Sequence, residues 1–367
     1  MLRVDVDVRM LEAGGIGRYI RGIIGPWLAK GEVAAARLYG SPQSTEAWLR
    51  RIEPVAEVDV VAWTDPIYTF RAQARWTHLS HNRSGWRPDV SFFPHFNAPL
   101  LAHPRPSVVV VHDLIHLHVP EAFPRWKRWA AARMIKAVAR RTDQIVTVSG
   151  HSRRDLLRFL GTRAPPVAVI RNGVSDVFSP GLASEPSEPP YILVVAPHKR
   201  HKNLKLAAQV LDRLPRDEGW RLVAVGPDAD DRSDLARGAG SPALEKLIDL
   251  PGRVADRDLR DLYRKATVVL IPSLLEGFAL PALEARACGT RAVATDAPWA
   301  RELKDAGVEL VQGWDPDDWV RVIQAPAADT PDWVLPPHAI PRWSDASAAT
   351  LDLMQRVAER APLGRER

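Results

Sequence analysis

Short apolar runs alternate with amphipathic stretches along most of the chain, which predicts β-strands followed by helices. In residues 1–178 the strand candidates are Arg3–Val8, Val58–Trp63, Val90–Phe93, Ser107–Val111, Gln144–Val148 and Val167–Ile170. In residues 179–367 they are Tyr191–Val195, Arg221–Val225, Lys246–Leu250, Val268–Ile271, Arg291–Ala294 and Glu309–Val311. Helical patterns follow many of them, as in Asn203–Arg213 and Asp256–Lys265. Repeated alternation of this kind predicts parallel sheets with helices on both faces.

A Pro/Ser/Glu-rich segment over residues 179–190 separates the two series of strands. The chain is therefore expected to form two doubly wound α/β domains, residues 1–178 and 179–340. A last helical pattern over residues 343–361 follows a proline-rich stretch at 325–341, and no strand comes after it.

The distribution of charge and the number of cysteines limit the classes of function that the protein could have. The net charge is +6, with an excess of basic residues in 1–178 and an excess of acidic residues in 179–367. A basic half suggests an anionic partner, and a chance surface bias is an equal alternative. The single cysteine, Cys288, excludes an intrachain disulfide and a cysteine-based zinc site, which is typical of a cytoplasmic protein. The first residues are expected to form a strand and not a signal peptide, and the apolar runs are too short to span a bilayer.

The most informative stretch follows the strand candidate Val268–Ile271. Gly277 allows an unusual loop conformation, and Pro281 fits the first turn of a helix. Glu276 then lies in the loop and Glu284 about one turn inside the helix. The backbone N–H groups at the helix start would bind a phosphate, and the carboxylates would bind hydroxyls, as in a nucleotide sugar. These N–H groups belong to Phe278, Ala279 and Leu280. An ordinary βα loop with two unrelated glutamates is an equal alternative.

Two further loops that follow predicted strands contain charged and imidazole side chains that could bind a ligand. The strand candidate Tyr191–Val195 is followed by five consecutive basic or imidazole side chains: His198, Lys199, Arg200, His201 and Lys202. Such a loop either binds a diphosphate at the end of the strand or is a solvated surface loop. After Ser107–Val110, His112 and Asp113 lie at the tip of a central strand, where a histidine is either structural or catalytic.

The glycine-rich loop and the acidic pairs exclude several other classes. Gly14, Gly15 and Gly17 follow the first strand, but they do not form GxGxxG, so a nicotinamide-dependent enzyme is disfavoured. The Asp-x-Asp pairs and the absence of a His/Cys/Asp cluster with ligand spacing predict no metal site.

These stretches, in this order, resemble the retaining glycosyltransferase family four, which has the GT-B fold. The motifs that carry the resemblance are Gly14-Gly-Ile-Gly-Arg-Tyr, Val111-His-Asp-Leu, the segments 146–155 and 169–174, His201-Lys-Asn, the segment 252–263, and Glu276-Gly-Phe-Ala-Leu-Pro-Ala-Leu-Glu284 within 276–290. The last contains the family's E-x7-E signature. The resemblance implies two Rossmann-like domains facing across a cleft, with the helix at 343–361 completing the N-terminal acceptor domain and residues 179–340 binding the donor.

The resemblance also implies residue roles. The expected catalytic residues are Glu276, which would hold the hydroxyls of the donor sugar, Lys202, which would neutralise the diphosphate, and His112, which would approach the donor. The expected donor-binding residues are Glu284 at the ribose, Val254 and Asp256 at the base, the backbone of Phe278, Ala279 and Leu280 at the phosphates, Arg200, and the Gly15–Gly17 loop. Three positions depart from the family pattern: His201 replaces a frequent Arg, Pro197 replaces a frequent basic residue, and Ala279 replaces a frequent Gly. His198, Lys199 or Arg200 could substitute for the missing basic residue as a phosphate ligand.

By this resemblance, the protein would transfer a hexose from a nucleotide sugar to a glycan or polyprenyl-linked acceptor with retention of configuration, in cell-surface polysaccharide or glycolipid assembly. GDP-mannose is the favoured donor, and no cofactor or metal is expected. An epimerase or another GT-B enzyme, and a non-catalytic nucleotide-sugar binding protein, are the alternatives. Nucleic-acid binding is not expected, because the basic residues form no recognised motif.

Residues 125–141 read RWKRWAAARMIKAVARR and predict a basic helix. Its apolar stripe is expected to hold Trp126, Trp129, Ala130, Met134, Ala137 and Val138. Such a helix could lie on an anionic bilayer, placing the protein at the inner face of the membrane, or its stripe could pack on the sheet of the first domain.

Overall fold

A computed structural model describes residues 1–81, 85–120, 123–181, 187–326 and 340–360. These residues form two compact units. The first unit is built from three segments: Met1–Leu117, Arg125–Gly173 and the chain from Arg342 onward, in each case only the residues that the structure describes. The second contains those of His118–Pro124 and Val174–Pro341, so the chain changes unit after Gly173, a little before the expected domain boundary at residue 178.

The first unit is built on a parallel sheet. Its strands are β1 (Arg3–Asp7), β2 (Ala35–Gly40), β3 (Glu57–Ala62), β4 (Val90–Phe93), β5 (Ser107–Val110), β6 (Gln144–Thr147) and β7 (Val167–Val169). Their order across the described sheet is β3-β2-β1-β4-β5-β6-β7. The helices between them are α1 (Gly14–Ala29), α2 (Pro42–Ile52), α3 (Phe70–His81), the single turn α4 (Ile115–His118), α5 (Arg125–Ala139) and α6 (Gly150–Leu160). The strand order reverses between β1 and β4, which is where sheets of this kind bind ligands.

The second unit contains a second parallel sheet. Its strands are β8 (Tyr191–Val195), β9 (Arg221–Val225), β10 (Ile248–Gly252), β11 (Val268–Ile271), β12 (Ala292–Thr295) and β13 (Glu309–Val311). Their order is β10-β9-β8-β11-β12-β13, so the reversal point lies between β8 and β11. The helices are α7 (Leu204–Arg213), α8 (Asp231–Ala239), α9 (Asp256–Lys265), α10 (Leu280–Ala287) and α11 (Pro316–Gln324).

Helices cover both faces of the second sheet. Alternate residues of β8 belong to different cores: Ile192 and Val194 pack with α7, α8 and α11, whereas Leu193 packs with α9 and α10. A strand that is buried on both faces must be apolar throughout, which explains the unbroken apolar runs in the sequence. The two series of strands thus form two doubly wound α/β units, as predicted from the sequence.

The last described helix, α12 (Trp343–Arg360), packs on α1 in the first unit. The indole Nε1 of Trp27 donates to the carbonyl of Ser347 at 3.1 Å, and the Ser347 hydroxyl donates to the carbonyl of Ile23 at 2.7 Å. The close approach needs glycine, because a Cβ on Gly22 would lie 2.3 Å from the Trp343 ring.

Strand β2 was not predicted. Its sequence, AARLYG, contains alanines of low β-propensity and Arg37, and so lacks a run of β-branched residues. It forms a strand because it pairs with β1 on one side and β3 on the other. Strand β10 begins at Ile248, two residues after the predicted start at Lys246, because Pro242–Leu247 forms a 3-10 helix.

The predicted apolar stripe of α5 is right in part: Val138 is buried and Met134 packs against the core, but the two tryptophans are not buried. Trp126 and Trp129 are 66% and 62% exposed, and the face packed on the unit is formed by Ala131, Ile135, Val138 and Ala139. The two tryptophans lie instead among basic side chains, with Lys127 over the Trp126 ring and Arg133 over the Trp129 ring. The prediction assumed that the large aromatic side chains of this helix are buried, whereas the buried residues are smaller ones.

Candidate functional site

The loop between β11 and α10 lies at the reversal point of the second sheet. Pro281 occupies the first turn of α10, as predicted, and Ala279 is the N-cap residue. Ala279 has φ of 23° and is buried, a conformation that a glycine would adopt with less strain. Because the first N–H groups of a helix have no partner within it, this terminus can accept an anion.

Lys202 and Glu276 form an ion pair across the reversal point. Lys202 Nζ lies 2.6 Å from Glu276 Oε1 and 2.8 Å from Oε2, and both side chains are mostly buried. The Ser273 hydroxyl also donates to Glu276 Oε1 at 2.6 Å. The Leu274 N–H donates to the carbonyl of His201 at 2.8 Å, and this bond holds the loop after β8 against the loop after β11. The structure therefore brings together two residues that the sequence predicted in separate loops, and it adds Ser273, which was not predicted.

Glu284 lies on the buried side of α10, with 1% of its surface exposed. The Tyr263 hydroxyl, from α9, donates to Glu284 Oε2 at 2.9 Å. Sequence analysis missed Tyr263, although its position four residues after Leu259 on the apolar face of α9 indicated that it points inward. The ribose-binding role of Glu284 stays a prediction.

The basic loop after β8 is only partly available for a phosphate. His198 Nδ1 lies 2.7 Å from Asp231 Oδ1 at the start of α8, and this histidine lowers the pKa of Asp231. His198 is therefore already paired, which argues against its use as a substitute phosphate ligand. Arg200 is exposed at the start of the 3-10 helix Arg200–Lys202, whereas His201 is buried.

The residues expected near the base lie between β10 and α9. Val254 is partly buried and packs on the core of the second unit. Asp256 is exposed and is the first residue of α9, where a carboxylate interacts favourably with the helix dipole. Their contact with a base stays a prediction.

His112 lies in the first unit, just after β5. One of its ring nitrogens, Nε2, is 2.8 Å from the carbonyl of Pro94; since a carbonyl can only accept, Nε2 carries the proton. Burial lowers the pKa of His112, opposed by the hydrogen bond to Pro94 and the charge of Asp113. The ring packs edge-on against the Tyr19 ring, with the two ring centroids 4.9 Å apart. The Ser152 hydroxyl donates to the backbone carbonyl of His112. His112 is thus held as a neutral imidazole in a fixed orientation.

The expected Gly15–Gly17 loop is instead helical, because α1 begins at Gly14. A Cβ on Gly17 would lie 2.1 Å from the carbonyl oxygen of Leu11, so this glycine is required by packing. A Cβ on Gly15 would meet nothing within 4 Å. Gly15 therefore has the open surroundings that close approach of a ligand needs, whereas Gly17 has a structural reason of its own.

The described residues contain neither a cluster of metal ligands nor a helix suited to span a membrane. Within them, no group of three or more His, Cys, Asp or Glu side chains is arranged to hold a metal ion. None of the helices in that part of the chain combines the length and the apolar character needed to cross a bilayer.

Two family models match the chain. "Glycosyl transferases group 1" matches residues 183–330 in the second unit, and "Glycosyltransferase Family 4" matches residues 13–178, mostly in the first. The segments matched agree with the two series of strands and helices seen in the structure.

Three curated relatives are all glycosyl-transferring enzymes by name. Glycogen synthase of Mycobacterium tuberculosis is 28% identical over 65% of this chain and 59% of its own length. D-inositol 3-phosphate glycosyltransferase of Xylanimonas cellulosilytica is 32% identical over 60% of this chain and 58% of its own length. The O-antigen chain mannosyltransferase RfbU of Salmonella typhimurium is 24% identical over 63% and 62%. The matches therefore span about three fifths of the length of these relatives.

Solved structures with the same fold cover nearly the whole chain. Sucrose-phosphate synthase from Thermosynechococcus elongatus has a TM-score of 0.77 at 17% identity, covering 98% of this chain and all of that chain. HepE of Anabaena, solved with UDP-glucose, has a TM-score of 0.70 at 18% identity, covering 98% and 99%. With two parallel α/β sheets, both family models and these structural neighbours, the chain belongs to glycosyltransferase family four and has the GT-B fold.

Proposed function

We propose that the protein transfers a hexose from a nucleotide sugar to a glycan or lipid-linked acceptor, with retention of configuration at the transferred sugar. The observation that carries this proposal is the Lys202–Glu276 ion pair beside the N-terminus of α10. One cation, one carboxylate and a helix N-terminus at the reversal point of a sheet match a ligand that carries a diphosphate and hydroxyls together.

Donor binding would exchange the partners of this pair. The diphosphate would take Lys202 and the N–H groups at the start of α10, and the sugar hydroxyls would donate to Glu276. The charge that develops on the leaving phosphate would then meet donors that are already oriented, which is a common way in which enzymes lower a barrier. Glu284, linked to Tyr263, would hold the ribose.

In the proposed step the acceptor oxygen attacks C1 of the donor sugar on the face that the leaving group occupies. The bond from C1 to the phosphate oxygen breaks as the bond to the acceptor oxygen forms, and the acceptor proton passes to the departing phosphate. The charge on the diphosphate is met by Lys202 and the helix terminus, so the proposed reaction is metal-independent. His112, neutral and fixed by Pro94, would orient the donor as a hydrogen-bonding group.

GDP-mannose is the proposed donor. The resemblance of the His112-Asp113, Lys202-Asn203 and Glu276-Gly277 segments to mannosyltransferases supports it, and so does the name of the relative RfbU. UDP-glucose is the competing candidate, because it was bound to the structural neighbour HepE.

The proposed acceptor is carried at an anionic membrane surface, with α5 as the contact. Trp126 and Trp129 are exposed, although large aromatic side chains are usually buried, and they sit among the basic residues Arg125, Lys127, Arg133 and Lys136. Tryptophans favour the membrane–water interface and basic residues favour anionic lipid head groups.

Calorimetric titration with GDP, UDP, dTDP and ADP tests the donor assignment, followed by NMR of the products with each matching nucleotide sugar. We expect GDP to bind most tightly, and the product to keep the anomeric configuration of the donor. Preference for UDP would replace mannose as the proposed sugar. A change of the donor without any acceptor would point to an epimerase, and binding without turnover to a non-catalytic protein.

A further inference from the structure

Each of the two glutamates in the segment Glu276–Glu284 accepts a hydrogen bond from a hydroxyl group that lies outside that segment. The Ser273 hydroxyl donates to Glu276 Oε1 at 2.6 Å, and the Tyr263 hydroxyl donates to Glu284 Oε2 at 2.9 Å. Ser273 is 2% exposed, and Tyr263 is completely buried. Two separate parts of the chain, the loop after β11 and helix α9, thus supply the same chemical group to the two carboxylates.

A hydroxyl group can orient a carboxylate without cancelling its charge. It occupies one of about four positions at which a carboxylate accepts hydrogen bonds, so the oxygens can still accept from other hydroxyls. A lysine or an arginine in the same place would also hold the carboxylate, but as an ion pair that competes with a sugar. An uncharged support therefore suits a carboxylate that binds the hydroxyl groups of a ligand.

The bond between Ser273 and Glu276 does not depend on Lys202. In the proposed donor complex Lys202 turns to the diphosphate, whereas the Ser273 hydroxyl has no part in that exchange. Its bond of 2.6 Å has the length typical of a hydroxyl that donates to an ionised carboxylate. Ser273 closely follows the buried strand β11, and the next residue, Leu274, donates through its N–H to the carbonyl of His201. The backbone at the strand end therefore fixes this contact, which orients Glu276 before a sugar arrives.

The position of the Tyr263 hydroxyl is fixed by packing. Its ring contacts Phe178 edge-on, with the ring centroids 5.7 Å apart, and its backbone carbonyl accepts from the Thr290 hydroxyl at 2.6 Å. The bond to Oε2 then sets the rotation of the Glu284 carboxylate, which is 1% exposed. A buried carboxylate that is held in this way discriminates against a ligand that lacks the matching hydroxyl, because a buried acceptor would lose its donor.

We propose that Ser273 and Tyr263 are positioning residues of the donor site. Ser273 orients Glu276 towards the hydroxyls of the transferred sugar, and Tyr263 orients Glu284 towards the 2′- and 3′-hydroxyls of the ribose. The donor is then a ribonucleotide sugar, and sugars carried on a 2′-deoxyribonucleotide, as in dTDP-sugars, are rejected. This inference rests on the proposed function, because it takes the roles of the two glutamates from it.

Calorimetry with matched nucleotides tests the two roles separately. The ligands are GDP, 2′-deoxy-GDP and GDP-mannose, together with UDP, 2′-deoxy-UDP and UDP-glucose, so the comparison holds for either base. The variants are Tyr263→Phe and Ser273→Ala, each of which removes one hydroxyl. Tyr191→Phe is the matched control, because the Tyr191 hydroxyl belongs to the same core and donates to the carbonyl of Leu262 at 2.6 Å.

We expect the wild type to bind each ribonucleotide about 10-fold or more tightly than its 2′-deoxy analogue, the range for a lost hydrogen bond to a charged group. Tyr263→Phe should lose most of this preference, by weakening GDP or UDP while the 2′-deoxy forms change little. Ser273→Ala should keep the preference but lower the affinity of the nucleotide sugar relative to the bare nucleotide by about 3- to 10-fold. Tyr191→Phe should lower the melting temperature and leave both ratios unchanged.

A purely structural role of the two hydroxyls predicts a different pattern, because lost stability weakens all ligands of one variant alike. Ratios equal to those of the control in both variants would overturn the inference, and so would a wild type that binds ribose and 2′-deoxyribose forms equally. If Tyr263→Phe does not fold, Ser273→Ala and the ribose preference of the wild type decide. A wild type that binds none of the nucleotides would contradict the proposed function itself, whereas tight nucleotide binding with unchanged ratios removes only the roles of Ser273 and Tyr263.

Discussion

Lys202 contacts both carboxylate oxygens of Glu276, so the two charges at the proposed donor site satisfy each other. Each residue is the counterion of the other, and a bound donor must replace both contacts. Substitution of either residue should therefore affect nucleotide binding and sugar transfer in different ways.

We predict that Glu276→Gln and Lys202→Ala each lower the rate of transfer by roughly 10²- to 10³-fold, the usual cost of losing one such group. Binding of the bare nucleoside diphosphate should move in opposite directions: tighter in Glu276→Gln, because Lys202 loses its competing carboxylate, and weaker in Lys202→Ala. Calorimetry and a transfer assay measure both quantities. Lys205→Ala, at an exposed position on α7, is the control. Near-normal transfer by both variants would remove these residues from the site.

Transfer should survive EDTA. We expect this because Lys202 and the start of α10 supply positive charge where the diphosphate is proposed to bind. The measurement is the initial rate before and after chelation, with readdition of Mg²⁺ or Mn²⁺. A rate that falls to background and returns only with the metal would contradict the proposed mechanism.

The double substitution Trp126→Ser/Trp129→Ser should abolish co-sedimentation with anionic vesicles and leave thermal stability unchanged, because both side chains are already exposed. In a separate variant that keeps both tryptophans, replacing Arg125 and Lys127 by glutamate should weaken vesicle binding at low salt by about 1 kcal/mol for each basic residue lost from the surface. Phe70→Ser, at another exposed aromatic residue of the first unit, should sediment like the wild type. Equal, poor sedimentation of all proteins would exclude membrane contact through α5.

Substitution by alanine should have different effects on stability at two glycines of α1, Gly22 and Gly15. Gly22→Ala should lower the melting temperature, with a cost of about 1–3 kcal/mol, because the added methyl group meets the ring of Trp343. Gly15→Ala should leave stability equal or slightly higher, since its surroundings are open and alanine favours a helix. If Gly15 approaches the donor, Gly15→Ala should also slow transfer without loss of stability. A Gly22→Ala protein as stable as the wild type would show that α12 is not packed as described.

Acidification should destabilise the first unit. The pKa values of His95, His103 and His112 are lowered, mainly by burial. A lowered pKa means that the unfolded chain binds more protons, so this part of the stability is present above about pH 6.5 and is lost as the pH falls below it. Melting temperatures at about pH 7.5 and about pH 5.5 measure the loss, and His112→Asn should show a smaller drop than the wild type. Equal melting temperatures at both pH values would refute the prediction.

The fold was largely predictable because the central strands of both sheets are buried. Strands such as Val90–Phe93 and Val268–Ile271 are buried along their whole length, and all their residues except Ser91 are apolar, so their ends could be located to the residue. Strand β2 could not be predicted, because what makes Ala35–Gly40 a strand is pairing on both sides and not its own residues.

The charged residues of the proposed donor site could be named from the sequence, but Ser273, Tyr263 and the contacts that these residues make could not. Glu276 and Lys202 were named from their loops, yet only the three-dimensional structure pairs them, since the bond that aligns the loops joins the backbones of Leu274 and His201.

The position of α12 has a consequence for biosynthesis. On the ribosome, every described residue of α7 to α11 emerges before Trp343, so the second unit can reach its native state while the first is still incomplete. Until α12 arrives, the Trp27 indole lacks the Ser347 carbonyl, and the apolar face of α1 is open to water. The first unit therefore completes its packing only after the residues of α12 have been synthesised, although most of its own sequence is made first.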